Sequence, residues 1–522
     1  MLLAAIGIVA KLIGALYRVP LTNIVGAEGM GLYQMVFPLY TVLLAFCGGG
    51  FTNAVSRVVA KYTARGDNAS AVRTVRAAII PLAVVSALSA AAVALLRNAI
   101  SGLQGNTEAA IAYLALCPSL LFAGGISVFR GYFQGKSQML PSGISQLIEQ
   151  IVKLFLGLYL SKVFLRYGVR FAVAGALIGV SVSELLALLY LAVRYAVSRK
   201  RAKRYVPVLA LGTEASAEFA PERYVTDREL IKELYSFALP VTLGSLVLPL
   251  TQMIDSVLVI NLLMYGGAGR ADSTALFGLL VGPVGTLVNM PVVIVLSVSI
   301  AYLPAVTTAV ERGADVSGIT RDAAKWIMLF VIPVTAVFML FPDRVCAALY
   351  RRGLTSDQLA VASNLLRVQA VGVFYVGMLQ LCTTVLQGYN KAHRPVINLI
   401  VGACVKVALT PALVRLFGII GAAGATTACY AVAATLTARS AYKCTALNVS
   451  ALDALLKPLA FTLAASAAFY GTVVAAEHGQ IPSLWASIIG AAVFAAVYFG
   501  GIAVSGALSA GDVKRLIPRS KK

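Results

Sequence analysis

Carboxylates and histidines are scarce in this chain. Against 43 Lys and Arg stand 21 Asp and Glu, two His and two Trp in 522 residues. The seven cysteines (Cys47, Cys117, Cys346, Cys382, Cys404, Cys429 and Cys444) form no C-x-x-C, and none is spaced with a histidine as a metal site requires. They read as small apolar packing residues. His393 and His478 lie far apart, so no zinc, haem or catalytic-triad pattern is offered, and no metal site is expected. No G-x-x-x-x-G-K-[ST] loop occurs, which excludes a P-loop ATPase. No nucleophile–base set stands out, so the chain reads as a non-enzyme without a cofactor. The first apolar run lacks a basic leader and an A-x-A site, which argues against a cleaved signal peptide.

Long apolar runs are what the sequence has in abundance. It is 59% hydrophobic and 12% charged, with mean hydropathy +0.86. A water-soluble surface at this size needs far more charge. The runs recur at the ~20-residue length that crosses a bilayer as helix. The reading is an all-α polytopic membrane protein with fourteen transmembrane helices, at 2–25, 31–60, 75–96, 109–133, 141–165, 169–197, 235–263, 273–303, 325–349, 360–387, 394–415, 418–440, 454–476 and 482–505.

The formal net charge of +22 invites a nucleic-acid reading. Topology explains it better. With both termini cytoplasmic, most Lys and Arg fall on cytoplasmic loops, as the positive-inside rule expects. RKRAKR (199–204) and the tail KRLIPRSKK are then cytoplasmic, set against anionic headgroups. The expected location is a bacterial plasma membrane, with membrane lipids as partners, no nucleic acid, and a monomeric state.

Lys11 and Arg18 sit two helical turns apart in the first span, on one face with Gly7 and Gly14. A cation at the bilayer centre costs about 2.5–3.5 kcal/mol. Two on one stripe among glycines imply a polar, cationic cavity suited to an anion. In the fifth span, Gln146, Glu149, Gln150 and Lys153 share a stripe by spacings of three and four. Glu149 and Lys153 have the favourable order for an ion pair. That stripe reads either as a neutralised structural pair or as a cavity face, and the flanking glutamines favour the second.

Spans 1–6 and 7–12 carry a weak repeat. Gln134-Gly135 and Gln387-Gly388 each precede a Val-Lys pair, with 19 residues from Gln to Lys153 and to Lys406. Pro141 and Pro395 open the second helix of each hairpin, one residue out of register. The organisation expected is an N-lobe at 1–197, a cytoplasmic linker at 198–234, a C-lobe at 235–442, and two added helices with a basic tail at 443–522. Two six-helix halves of like orientation suit rocking about a central site. Prolines, Pro20 among them, mark expected helix bends.

Other intramembrane charges join the candidates. Lys406 does so as the repeat partner of Lys153. Arg57 and Arg367 lie near span ends, where snorkelling is the plain alternative. Asp255 and Glu184 are lone carboxylates that suit a coupling cation, H⁺ or Na⁺, or a pairing with Arg18, Lys153 or Lys406.

KLIGALYRVPLTNIVGAEGMGLYQMVFPLYTVLL and AVSRVVAKY resemble the start of the stage V sporulation protein B branch of the MOP exporter superfamily. GGISVFRGYFQGKSQMLPSGISQLIEQIVK and LQGYNKAHRPVINLIVGACVK resemble its two central hairpins. The resemblance covers essentially the whole chain. It implies two six-helix lobes around a cavity, with helices 13 and 14 forming a lipid-tail groove. It also implies a polyprenyl-diphosphate-linked sugar as cargo, lipid II first among them, moved from inner to outer leaflet by alternating access. In MurJ-type members, basic residues of the first helix line the cavity, and Lys11 and Arg18 match them with one extra residue between. Those members also carry a basic pair deep in the second helix, where this chain reads LLAFCGGGF without charge. The competing readings are a flippase for another lipid-linked polysaccharide unit and a cation-coupled multidrug antiporter of the MATE kind. An intramembrane glycosyltransferase would need a carboxylate or metal constellation on a loop, and none is evident.

Overall fold

The computed structural model describes residues 2–209, 226–445 and 455–505, and these form helices with no strand among them. Hydrocarbon leaves no water to satisfy backbone polar groups, so a chain this apolar must close its hydrogen bonds within helices. Among the described residues, eleven helices are long and apolar enough to cross a membrane. The expected fourteen spans therefore do not appear as fourteen separate helices, and the physical reasons are local.

The first two expected spans lie in one helical run, Val9–Ala64. That run belongs to α1 (Leu2–Leu44), a π turn (Ala45–Gly49) and α2 (Phe51–Ala64). Gly26 interrupts α1 with φ 69° and ψ −170°, a conformation open essentially to glycine alone. Arg18 and Phe37 would stand about 28 Å apart on a straight helix, yet the Arg18 guanidinium lies 5.6 Å from the Phe37 ring centre. The chain thus doubles back at Gly26, rather than at Pro20. The expected span 141–165 is assembled from α5 (Met139–Val152), a π turn (Lys153–Gly157) and the short α6 (Leu158–Phe164). That at 235–263 is divided at Leu246 between α8 (Asp227–Ser245) and α9 (Val247–Tyr265).

Two compact units divide the chain, Met1–Gly278 and Leu279–Lys522. The first also holds α3 (Asn68–Leu103), α4 (Ala109–Gly135), α7 (Val169–Leu209) and most of α10 (Arg270–Leu279). A core of Val55, Val59, Val75, Phe133 and Leu234 joins α2, α3, α4 and α8. A second, polar knot forms where the Gln104 amide donates to the Met35 carbonyl and to Ser256 Oγ, both at 2.9 Å. Tyr113 Oη donates to Gln104 Oε1 at 2.8 Å, which closes it.

The second unit holds α11 (Gly285–Glu311), α12 (Ser317–Leu340), α13 (Pro342–Tyr350), α14 (Ser356–Gly388), α15 (His393–Phe417), α16 (Ile419–Tyr442), α17 (Lys457–His478) and α18 (Ser483–Val504). α17 packs on α18, and Tyr498 Oη donates to the Leu329 carbonyl of α12 at 2.7 Å. Arg344 of α13 and Glu477 of α17 pair at 2.5 Å. Most of the cysteines are buried free thiols, as expected, whereas Cys404 is exposed. The tail KRLIPRSKK and the middle of the 198–234 linker lie outside the described residues.

Candidate functional site

The stripe of α5 faces the glycine stripe of α1. A Cβ on Gly7 would meet Gln146 Oε1 at 3.8 Å, and one on Gly14 would meet Gln150 Oε1 at 2.7 Å. The glycines are therefore what lets the glutamine-bearing helix approach. Lys11, between them, is exposed.

Glu149 does not pair with Lys153. It takes the Arg130 guanidinium of α4 at 3.0 Å and the Gln150 amide at 3.2 Å. Arg130 is fixed in turn by Nε donation to Ser145 Oγ at 2.9 Å. A guanidinium fork can hold carboxylate and hydroxyl together, so the i, i+4 arrangement with Lys153 yields to the cross-helix partner.

Lys153 begins the π turn, and π turns recur at functional sites. Its ammonium lies 5.2 Å from the Tyr17 ring centre and 5.5 Å from that of Phe37. Arg18 shares Phe37. Among the described residues, Lys11, Arg18 and Lys153 have no carboxylate partner. Cation–π contacts of this kind contribute about 0.5–2 kcal/mol each, which orients the cations without neutralising them. Gly157 ends the π turn against α7: a Cβ on Gly179 would sit 2.4 Å from Gly157 Cα. Tyr17 is 1% exposed, and its hydroxyl has no hydrogen-bond partner.

Glu184 of α7 is 5% exposed. It accepts a hydrogen bond from the Tyr40 hydroxyl, and its Oε2 has no partner. The structure thus gathers Arg18, Gln146, Glu149, Gln150 and Lys153 within the first unit, with Glu184 in electrostatic reach of Glu149 and Lys153. Arg57 and Asp255 lie elsewhere in the same unit. Arg57 is exposed, over the Phe237 ring at 4.8 Å, beside the Lys61–Glu233 pair at 2.7 Å. Asp255 is half-buried on α9, next to Ser256 of the polar knot. Arg367 belongs to the second unit, where it reaches the Met339 carbonyl at 3.3 Å and Asp343 at 3.6 Å. Lys406, 8% exposed, is also in that unit, on a buried stripe with Gly402, Thr410 and Val414.

Sequence reasoning missed Arg130, Tyr17 and Phe37. A lone arginine inside the fourth span, 19 residues before Glu149, was a readable signal for the first. Tyr33, Phe37 and Tyr40 at i, i+4 and i+7 were one for an aromatic face.

Known proteins share sequence or fold with this chain. The stage V sporulation protein B of Bacillus subtilis (strain 168) is 26% identical over 433 residues, covering 81% of this chain and 79% of that protein. The lipid II flippase MurJ of the same organism is 25% identical over 433 residues, covering 80% and 77%. A solved structure of lipid II flippase MurJ in an inward closed conformation shares the fold, with TM-score 0.72 at 14% identity over 97% of this chain and 98% of that one. Residues 1–310 match the polysaccharide biosynthesis protein family, which takes in every residue of the Arg18–Lys153 site, and the chain belongs to that family.

Proposed function

We propose that the protein is a flippase that carries a polyprenyl-diphosphate-linked sugar, lipid II first among the candidates, from the inner to the outer leaflet. The observation that carries this reading is the pair of uncompensated cations, Arg18 and Lys153, that share the Phe37 ring. With Glu149 already held by Arg130, the cluster has positive charge to offer an anion. A cationic drug would be repelled from it, which weighs against a multidrug antiporter.

In this reading the chain crosses the membrane fourteen times with both termini cytoplasmic. Its N-terminal and C-terminal halves alternate access to the headgroup. Lys11, Arg18 and Lys153, with Lys406 from the second half, replace part of the diphosphate hydration. Gln146 and Gln150 supply amide donors to diphosphate or sugar. The polyprenyl tail stays in lipid beside the last two helices. An inside-negative potential favours outward movement of the anion by about 2.3 kcal/mol per net charge per 100 mV.

The test is complementation of flippase-depleted bacteria, with lipid II accessibility assayed on each leaflet. Arg18→Ala removes a charge-assisted contact worth roughly 1.5–3 kcal/mol, about 10- to 150-fold in binding, and is expected to abolish rescue with normal membrane insertion. Arg18→Lys keeps a point charge but loses the fork, and is expected to rescue in part. Full rescue by Arg18→Ala would make Arg18 structural. Wild-type protein that restores another lipid-linked polysaccharide but not lipid II would reassign the cargo within the same mechanism.

A further inference from the structure

Glu184 is a buried carboxylate with a hydrogen bond on only one of its two oxygens. One oxygen accepts from Tyr40, and Oε2 accepts from nothing. Ser119 of α4 is fully buried and places a second hydroxyl near the carboxylate. The charged and titratable groups near Glu184 are Tyr40 from α1, Glu149 from α5 and Lys153 from the π turn; the Tyr40 ring packs on Phe37 with centroids 5.7 Å apart, and the Lys153 ammonium lies 5.5 Å from that same Phe37 ring. Glu149 is already neutralised by Arg130, whereas Lys153 is not. Leaving a buried charge short of donors is costly in hydrocarbon. One added proton removes that charge.

We propose that Glu184 is an exchangeable proton site whose occupancy is linked to that of the Arg18–Lys153 cluster, an inference that rests on the anion-binding reading of that cluster. The linkage is electrostatic. With the cluster empty, the Lys153 ammonium stabilises the Glu184 carboxylate. An anion on Lys153 cancels that stabilisation, so Glu184 takes a proton from water and becomes neutral. By reciprocity, protonation of Glu184 strengthens anion binding by the same factor. The cavity therefore gains its anion and its proton together and loses them together.

Two measurements on the full-length protein reconstituted in lipid nanodiscs decide it. The first needs no ligand. Infrared difference spectra across a pH titration are expected to show a protonated-carboxyl band in wild type that is absent from Glu184→Gln. Tyr40→Phe, which removes the Tyr40 hydroxyl as a donor to the carboxylate, is expected to displace that titration. The second uses farnesyl diphosphate as probe. Its affinity is expected to fall with rising pH in wild type by about tenfold more than in Glu184→Gln, within the range usual for coupled sites. The probe's own ionisation affects both proteins alike and cancels. Absence of a titrating band assignable to Glu184 overturns the proton site. A band with identical pH dependence of binding in both proteins overturns the linkage. Farnesyl diphosphate that binds neither protein at any pH overturns the anion-binding reading instead, and the infrared titration still decides whether Glu184 exchanges a proton.

Discussion

Gly135 closes α4 against α2, and Gly388 closes α14 against α11. A Cβ on the first would lie 2.5 Å from the Ser56 carbonyl oxygen, and on the second 2.3 Å from Val306 Cγ1. Each helix then ends in the same way. Ser137 and Asn390 take φ of 58° and 57°. The Gln138 N–H returns to the Phe133 carbonyl at 2.8 Å, and the Lys391 N–H to that of Leu386 at 2.8 Å. Both are left-handed helix stops. The contents of the two hairpins differ. Counted from Gln-Gly, Thr383 takes the place of Arg130 and Gly402 that of Glu149. Thr383 donates to its own helix at Leu379. A Cβ on Gly402 would lie 2.6 Å from the Cys429 carbonyl of α16. One hairpin is held by an ion pair beside free cations, the other by close backbone packing. The turn was kept between the halves while the chemistry on it diverged.

The largest expected effect separates the hairpins at their glues. Glu149→Ala strands the Arg130 guanidinium, and removing one partner of a buried pair costs about 3–5 kcal/mol. Both side chains are about a fifth exposed, which places the expectation near ~3 kcal/mol. Melting of the detergent-solubilised protein measures it. Thr383→Ala in the other hairpin is expected to cost less than ~1 kcal/mol. Equal losses for the two variants would show that the ion pair is not what holds α5 to α4. Arg130→Met with Glu149→Met is expected to recover most of the stability, since no lone charge remains.

A smaller effect is expected on the opposite side. Gly402→Ala forces a methyl onto the Cys429 backbone carbonyl, which cannot swing away as a side chain can. Overpacking of this kind costs about 1–3 kcal/mol. Gly424→Ala on α16 is the control, because nothing lies within 4 Å of its Cβ, and helix propensity alone makes it neutral or favourable by up to about 1 kcal/mol. If both alanines behave alike in thermal melts, α15 does not depend on close approach to α16.

These differences also mark how far the sequence could be read. Apolar run length revealed the helices, because hydrocarbon imposes that length on every crossing. It did not show where a crossing is built from pieces or where two share one helical run: the π turn at Lys153, the break at Leu246, and the reversal at Gly26. The residues there are ordinary for membrane helices, and their backbone geometry is set by neighbours such as Gly179 pressing on Gly157. The repeat was legible because Gln-Gly and the Val-Lys pair keep a fixed separation. Its one-residue proline mismatch has a simple origin. Pro141 and Pro395 are each the third residue of their helix, and the extra residue lies in the turn, with 136–138 in one hairpin and 389–392 in the other. Counted from the prolines, Lys406 falls one residue early, about 100° around its helix from the place of Lys153. The stripe on α5 was visible from spacing alone. Its partner was not, because an i, i+4 pattern says nothing of an arginine on another helix, and so Arg130 rather than Lys153 meets Glu149.

The smallest expected effect concerns the shared turn itself. Ser137 and Asn390 occupy the same left-handed conformation, yet they are not equally suited to it. That region costs an ordinary L-residue roughly 1–2 kcal/mol, whereas asparagine visits it routinely. Glycine removes the steric cost but adds unfolded-state entropy of about 0.5–1 kcal/mol. Ser137→Gly is therefore expected to raise stability by less than ~1 kcal/mol, and Asn390→Gly to leave it within ~0.5 kcal/mol. Both residues are exposed, so little else changes with the substitution. Ser137→Val supplies the opposite sign, because a β-branched side chain fits this conformation worst. Melting temperatures of the three variants, measured in one detergent, check the order Ser137→Gly above Asn390→Gly above Ser137→Val. A loss on Ser137→Gly comparable to that of Ser137→Val would mean that the serine side chain, rather than its backbone conformation, holds the first hairpin, and the two turns would then be alike in shape alone.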